Sequence, residues 1–349
     1  MHKLPLKTNL NSVDVLLQLN KATNKLGELN GILRTLLNPR ILLSSIVLGE
    51  SKASSKIENI FTTYDELYQE MTASLDNQSA KEVLRYREAI NIGTKIVSEK
   101  NIITTNDIIL LHHIIEPEKG DIRKLPGTVI KNAKTGEIVH TPPQNETDIR
   151  MYLQNLEEYI NTNNEYDPLI NMAVIHYQFE AIHPFYDGNG RTGRILNVLF
   201  LLLKDKLKIP VIYLSKYIND NKHEYYQLLK DIQNDEDEIE KFVIYMLKAV
   251  EEMSIFTIKY IKSLNETIEI TRKIIKKELP KIYSAEVVDA IFYEFYTKNE
   301  YFRKTLGISR NTASSYLNQL VNIGVLSKEK VGKEMIYKNV QMFILINEL

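Results

Sequence analysis

The sequence predicts a mainly α-helical protein with one β-hairpin set among the helices and a winged helix-turn-helix at the C-terminal end. Three observations carry that expectation. Apolar residues recur three and four apart over most of the chain, with only 13 glycines in 349 residues and no repeat or low-complexity tract. Two short β-rich pieces in TVIKNAKTGEIVHTPP, residues 128–143, flank Ala133-Lys134-Thr135-Gly136 and end in a Pro-Pro stop, as a hairpin does. From residue 281 on, two short helical stretches around a glycine precede an alternating segment.

Residues 12–37 and 40–58 read as two helices divided at Asn38-Pro39, because proline cannot continue a helix. Residues 61–75, 78–99 and 106–115 follow as helices. The hairpin comes next, then helices near 146–162, 168–182, 190–206 and 218–233. A long helix from 236 to at least 265, extending to 278, is closed by Leu279-Pro280. In the tail, AEVVDAIFYEFY is a helix, YFRKTLGISRNTASSYLNQLVNIGVL reads as helix, turn, helix, and VLSKEKVGKEMIYKNV alternates like a small hairpin. The expected domains are an N-terminal helical region, 1–85, a helical core, 86–278, and the winged helix-turn-helix, 281–349.

Composition narrows the function classes. With 44% hydrophobic and 26% charged residues the chain has the profile of a soluble globular protein. A net charge of -1 gives no general attraction for nucleic acid or an anionic membrane, so any DNA contact must be local. The absence of cysteine excludes disulfides and thiolate metal sites and fits a reducing cytoplasm. The longest apolar run, ILNVLFLLL at 195–203, is far short of the roughly 20 residues that span a bilayer. The start, MHKLPLKTNL, has no apolar signal core. The reading is a cytoplasmic protein with no membrane partner.

The chemistry is concentrated in HPFYDGNGRTGR, residues 183–194. DPLINMAVIHYQFEAI gives an amphipathic helix before it and GRTGRILNVLFLLLKD a nearly all-apolar, buried helix after it, so the motif is a loop between two core helices. Gly188 and Gly190 let the backbone turn tightly and approach a ligand. The unpaired N–H groups of the second helix's first turn make an anion site suited to phosphates. Arg191 and Arg194, three apart, add positive forks for phosphate oxygens. Two basic residues at a helix N-terminus oppose its dipole and need an anionic partner. Asp187 suits a hard cation such as Mg²⁺ bridging phosphates, and His183 suits a general base for a hydroxyl nucleophile. Each part alone has an ordinary structural reading; their convergence within twelve residues does not.

The stretch matches HPFx[D/E]GNGRxxR at every defining position, and by it the chain resembles the Fic family. The resemblance implies a Fic-type helical bundle with a β-hairpin flap, which transfers AMP from ATP to a protein hydroxyl and releases pyrophosphate. It makes His183 the base and Phe185 a buried anchor. Asp187 becomes the Mg²⁺ ligand, Gly188, Asn189 and Gly190 the anion hole for the α- and β-phosphates, and Arg191 and Arg194 the grip on the β- and γ-phosphates. In the Doc branch, whose members act as kinases, a lysine stands at the place of Gly190, so glycine favours AMP transfer.

Two further stretches are similar to the family. ESKASSKIENIF, 50–61, ends a helix where Asn59 suits a left-handed stop, and its Ser54, Glu58 and Asn59 match the inhibitory pattern [S/T]xxxE[G/N]. The resemblance implies that Glu58 pairs with Arg194 at the γ-phosphate position, since one fork cannot serve a carboxylate and a phosphate together. In some family members the same glutamate instead positions a water that removes AMP, so de-AMPylation by Glu58 stands as an alternative. The hairpin at 128–140 corresponds to the flap, whose strand edge would hold an extended target protein beside His183. Asn221 and Tyr225, one helical turn apart, are suggested as an adenine-contacting wall.

In the tail, residues 310–322 take the recognition-helix place. Ser309 would cap it and leave Arg310, Asn311, Ser314, Ser315 and Tyr316 exposed. Nine basic against seven acidic residues over 281–349 give a charge of +2, a weak footprint for DNA. DNA, a docked protein and a homodimer all remain open as partners of this module. The alternatives to an autoinhibited adenylyltransferase using ATP and Mg²⁺ are a DNA-binding regulator with a nucleotide-sensing core and a transferase for another nucleotide or phosphate-bearing group.

Overall fold

Pro39 at the first position of a helix, with the Asn38 side chain accepting from the Arg40 N–H, fixes the first break in the chain. In the computed structural model, which describes residues 3–34, 36, 38–119, 121–131, 138–162, 164–293 and 296–349, α1 (Val13–Leu33) and α2 (Pro39–Ile57) lie on either side of that break. α3 (Tyr64–Ala73), α4 (Gln78–Lys100) and α5 (Thr105–Ile115) follow. α3 and α5 begin with capping boxes, Thr63 with Glu66 and Thr104 with Asp107. Strands β1 (Ile130–Lys131) and β2 (Ile138–His140) pair antiparallel, with Ile130 opposite His140. The predicted turn Ala133-Lys134-Thr135-Gly136 lies outside the described residues. α6 (Glu146–Asn161), α7 (Pro168–Ile182) and α8 (Asn189–Leu203) complete the core around the motif.

The single helix expected at 218–233 is two, α9 (Leu214–Asp220) and α10 (Lys222–Asn234), meeting at Asn221. The Asn221 amide donates back to the Tyr217 carbonyl at 2.9 Å, a local bond that competes with helix continuation. After a short 3₁₀ turn, α11 (Ile239–Glu278) runs unbroken for 40 residues. α1 lies parallel along it, with Ser12 bonded to Glu240 and Gln18 to Glu251.

α2 is buried around most of its circumference, Glu50 included. The Glu50 carboxylate accepts from the Ser215 N–H at 2.9 Å, from the Ser215 hydroxyl and from Tyr86. Burial still pushes its pKa up. α4 approaches α8 so closely that a Cβ on Gly93 would lie 2.5 Å from Leu199 Cδ1.

The tail contains α12 (Ala285–Tyr293), β3 (Tyr296–Lys298), α13 (Asn299–Leu306), α14 (Arg310–Asn322), β4 (Leu326–Val331), β5 (Glu334–Asn339) and α15 (Val340–Ile346). The predicted helix through 296 ends early, because Tyr296–Lys298 add a third strand in the order β3-β5-β4. The apolar run through Tyr296 fits a helix or a strand by its pattern alone, and pairing with β5 decides for a strand at Tyr296–Lys298. Gly307 makes the turn at φ 65°, and Ser309 caps α14 as expected. Arg310, Asn311 and Ser315 are exposed, whereas Ser314 and Tyr316 are half-buried; the Ser314 hydroxyl accepts from Asn299. The tail rests on α3: Tyr296 stacks on Tyr68 at 4.6 Å, and Asp65 pairs with Lys338 at 2.8 Å. Among the described residues no helix is long and apolar enough to cross a membrane.

The Gly93 contact makes a prediction. Gly93→Val should lower stability by about 1–3 kcal/mol through overpacking against Leu199, read as a drop in the urea midpoint. A midpoint equal to the parent's would mean that α4 and α8 can separate freely.

Candidate active site

α7 is buried on every side, with Asn171, His176 and Gln178 inside along with its apolar residues. The amphipathic helix expected here is thus a central one, enclosed by α6, α8 and α11. It ends at Ile182, and His183 takes the C-cap in the left-handed region, φ 47° and ψ 59°, with its N–H bonded to the Phe179 carbonyl at 3.0 Å. Phe185 is fully buried and stacks on His112, ring centroids 3.7 Å apart. The Asn189 side chain turns back onto Phe185, accepting from its N–H at 2.9 Å and donating to its carbonyl at 2.8 Å. Gly188, at φ 73°, caps α8 without any side chain occupying the helix's first N–H groups. Those donors remain directed at the loop, as an anion site requires.

Arg194 is buried, and its Nε and Nη2 are both engaged. Its Nε donates to the Ser54 hydroxyl at 2.8 Å, and its Nη2 donates to the Ser54 carbonyl at 3.1 Å and to Glu58 Oε1 at 2.7 Å. Ser54 lies on the last turns of α2 and Glu58 is its C-cap, followed by Asn59 at φ 63°. The structure therefore brings Ser54, Glu58 and Asn59 to the loop, 140 residues away for the serine bond. A Cβ on Gly190 would stand 2.4 Å from Glu58 Oε1. Arg191 is also enclosed, pairing with Glu116 and lying 3.6 Å from Glu82 and 3.9 Å from Asp187. Neither Glu116 nor Glu82 was singled out in the sequence; long-range ion pairs leave no local pattern.

Asp187 is exposed, accepts from the Gly188 N–H and lies 3.5 Å from Lys119. Among the described residues no group of three His, Asp or Glu could hold a metal unaided. One exposed carboxylate instead suits a cation that arrives with phosphates, the usual habit of Mg²⁺.

Asn221 and Tyr225 are close in the chain but differently placed. Asn221 bonds back to the Tyr217 carbonyl of α9, while Tyr225 is buried with its hydroxyl 2.7 Å from His176 Nε2. The exposed ring nearby is Tyr226, with Lys222 Nζ 5.8 Å from its centroid. Its signal, an aromatic beside an aromatic on a helix, was too common in a chain of 20 tyrosines.

Burial governs the titrations. It lowers His183 to about 4, with help from Arg123 and His140, so the imidazole is neutral at pH 7. It lowers His176 to about 3 and raises Glu180 to about 7. For Arg194 burial is the largest influence and would lower the pKa, but the Glu58 carboxylate together with Tyr86 and Tyr225 raises it above its ordinary value.

With this geometry in hand, the family is readable from comparison. Models of the Fic/DOC family match residues 102–201 and, for its N-terminal region, 16–95, which together take in more than half of the chain. This chain belongs to the Fic/DOC family. A third model, the C-terminal domain of SoFic-like protein adenylyltransferase, matches 267–342. Among curated relatives, the Fic protein is similar to proteins named protein adenylyltransferase Fic from Aedes aegypti, 27% identical over 162 residues, and Drosophila grimshawi, 30% over 155. Those matches cover 46% and 44% of this chain and 30% of each relative's length. A Fic family protein from Desulfovibrio desulfuricans G20 shares the fold over 94% of this chain and 96% of its own, with TM-score 0.60 at 18% identity. Fic-1 from C. elegans does so over 71% and 73%, with TM-score 0.55 at 20% identity.

The buried histidines imply a pH dependence of stability. An unfolded histidine titrates near 6.5 and folded His176 near 3. Between those values the unfolded state holds more protons, so stability is lost as pH falls. His176→Gln removes one such proton while leaving a polar partner for Tyr225. It should flatten the fall of Tm below pH 6.5, each histidine accounting for up to about 1.4 kcal/mol per pH unit. A Tm profile parallel to the parent's would show that His176 is not held neutral.

Proposed function

We propose that this chain is an autoinhibited protein adenylyltransferase that transfers AMP from ATP to a Ser, Thr or Tyr hydroxyl of a target protein. The observation that carries the reading is the Arg194 fork, filled by Ser54 and Glu58 beside an uncapped helix N-terminus. A γ-phosphate and the Glu58 carboxylate would compete for the same donors. Residues 1–85 would carry the inhibitory motif, 86–278 the catalytic core and 281–349 a winged helix-turn-helix module, in a cytoplasmic protein.

In this reading His183, neutral at pH 7, takes the proton from the target hydroxyl held along the 128–140 flap. The hydroxyl oxygen bonds to the α-phosphorus of ATP, and the bond from that phosphorus to the bridging oxygen breaks. Pyrophosphate leaves with the electron pair. Gly188 to Gly190 and the first turn of α8 hold the α- and β-phosphates, and Arg194, once free of Glu58, holds the γ-phosphate. Asp187 would hold a Mg²⁺ ion brought with ATP, which neutralises phosphate charge. Tyr226, exposed next to Tyr225 and Asn221, supplies an aromatic face toward which adenine can pack. The exposed Arg310, Asn311 and Ser315 of α14 favour a second role for the tail in binding DNA.

Label transfer from α-³²P-ATP in a cell lysate tests the reading. Glu58→Gly should label protein at least about tenfold more than the parent, equivalent to ~1.4 kcal/mol of relieved competition, and Glu58→Gly with His183→Ala should label none. A Glu58→Gly protein that binds ATP and transfers nothing would remove the transferase reading in favour of AMP removal or nucleotide-gated DNA binding.

A further inference from the structure

Arg123, in the segment between α5 and the flap, is completely buried. Its described hydrogen-bond partners are all backbone carbonyls. Nε donates to the His183 carbonyl at 2.7 Å, and Nη2 donates to Ile182 at 3.4 Å and to Pro143 just past the flap. Its own N–H donates to the Pro184 carbonyl at 2.9 Å. The same segment is tied to the loop a second time, because the Tyr186 hydroxyl accepts from the N–H groups of Lys124 and Leu125.

Two physical facts make this more than packing. A buried cation is costly to desolvate and is a poor device for stability alone. A non-glycine residue in the left-handed region costs of order 1–3 kcal/mol and persists only where its surroundings fix it. The Arg123 guanidinium meets the successive carbonyls of Ile182 and His183 at the negative end of α7, where a cation is favoured, and its main-chain N–H holds the next one, Pro184, so the residue fixes the backbone that aims His183.

We propose that Arg123 is a positioning residue for His183, and that by spanning the flap base and the loop it keeps a flap-bound hydroxyl in register with the base. Its role rests on the proposed use of His183 as the base. A charge in this place also disfavours the protonated imidazole. The groups facing His183 are Arg123 from the pre-flap segment, His140 from β2, Glu58 from the end of α2 and Glu180 one turn earlier on α7. Of these Arg123 is the first after burial in lowering the His183 pKa.

The test uses the full-length chain with Glu58→Gly as parent. Arg123→Met and Arg123→Lys are compared in two readouts: kcat and KM for ATP, and the NMR titration of the His183 imidazole, assigned with His183→Ala. Arg123→Met should lower kcat by about 10- to 100-fold with little change in KM and raise the His183 pKa by about one unit. Arg123→Lys keeps the charge but cannot reach all three carbonyls, so kcat should fall while the titration stays near the parent's. Should Arg123→Met not fold, Arg123→Lys decides alone: undiminished kcat overturns the proposal. An unmoved His183 titration in folded Arg123→Met overturns it too, and that readout stands even if the parent transfers no AMP.

Discussion

A guanidinium with almost no contact with water is the constraint around which this molecule is arranged. Arg194 sits at the start of a buried helix, where the dipole opposes it, and a cation left alone there would cost several kcal/mol. Ser54 and Glu58 satisfy it from the far side of the core. This one requirement draws the end of α2 to the loop after α7 and explains why α2 is buried along its length and braced from within by Glu50 and Ser215.

Much of the loop is held by bonds from side chain to backbone. Asn189 clasps both polar atoms of the Phe185 peptide, His112 stacks on the Phe185 ring and reaches the Asp187 carbonyl at 2.9 Å, and Arg123 gathers carbonyls behind His183. Such bonds fix backbone direction, while the helices on either side resist deformation because their cores are close-packed. His183 is thus aimed by backbone and kept neutral by burial.

The sequence showed much of this because its signals are local. Gly188 announced a tight turn, Asn38-Pro39 a helix start, and the pair Arg191 and Arg194 an unmet need for anions. Glu58 was legible through a short pattern, and its predicted partner was the right one in space. What stayed hidden depends on residues far apart in the chain. Glu116 and Glu82 around Arg191, Arg123 behind His183 and the Tyr68 stack on Tyr296 leave no periodic trace. The strand at 296–298 was missed for another reason: an apolar run suits a helix or a strand equally, and the tertiary partner, β5, decides; the break at Asn221 turns on one side-chain bond to the Tyr217 carbonyl that spacing does not show.

Gly190 ties two lineages of change together. Because any side chain there would occupy the space of Glu58 Oε1, and a glutamate tip yields more easily than a backbone, losing the glycine would push the Glu58 carboxylate off Arg194 in the same step. A side chain at this position and the Glu58–Arg194 ion pair as it stands exclude each other. Any change at position 190 therefore also changes what the Arg194 guanidinium can hold.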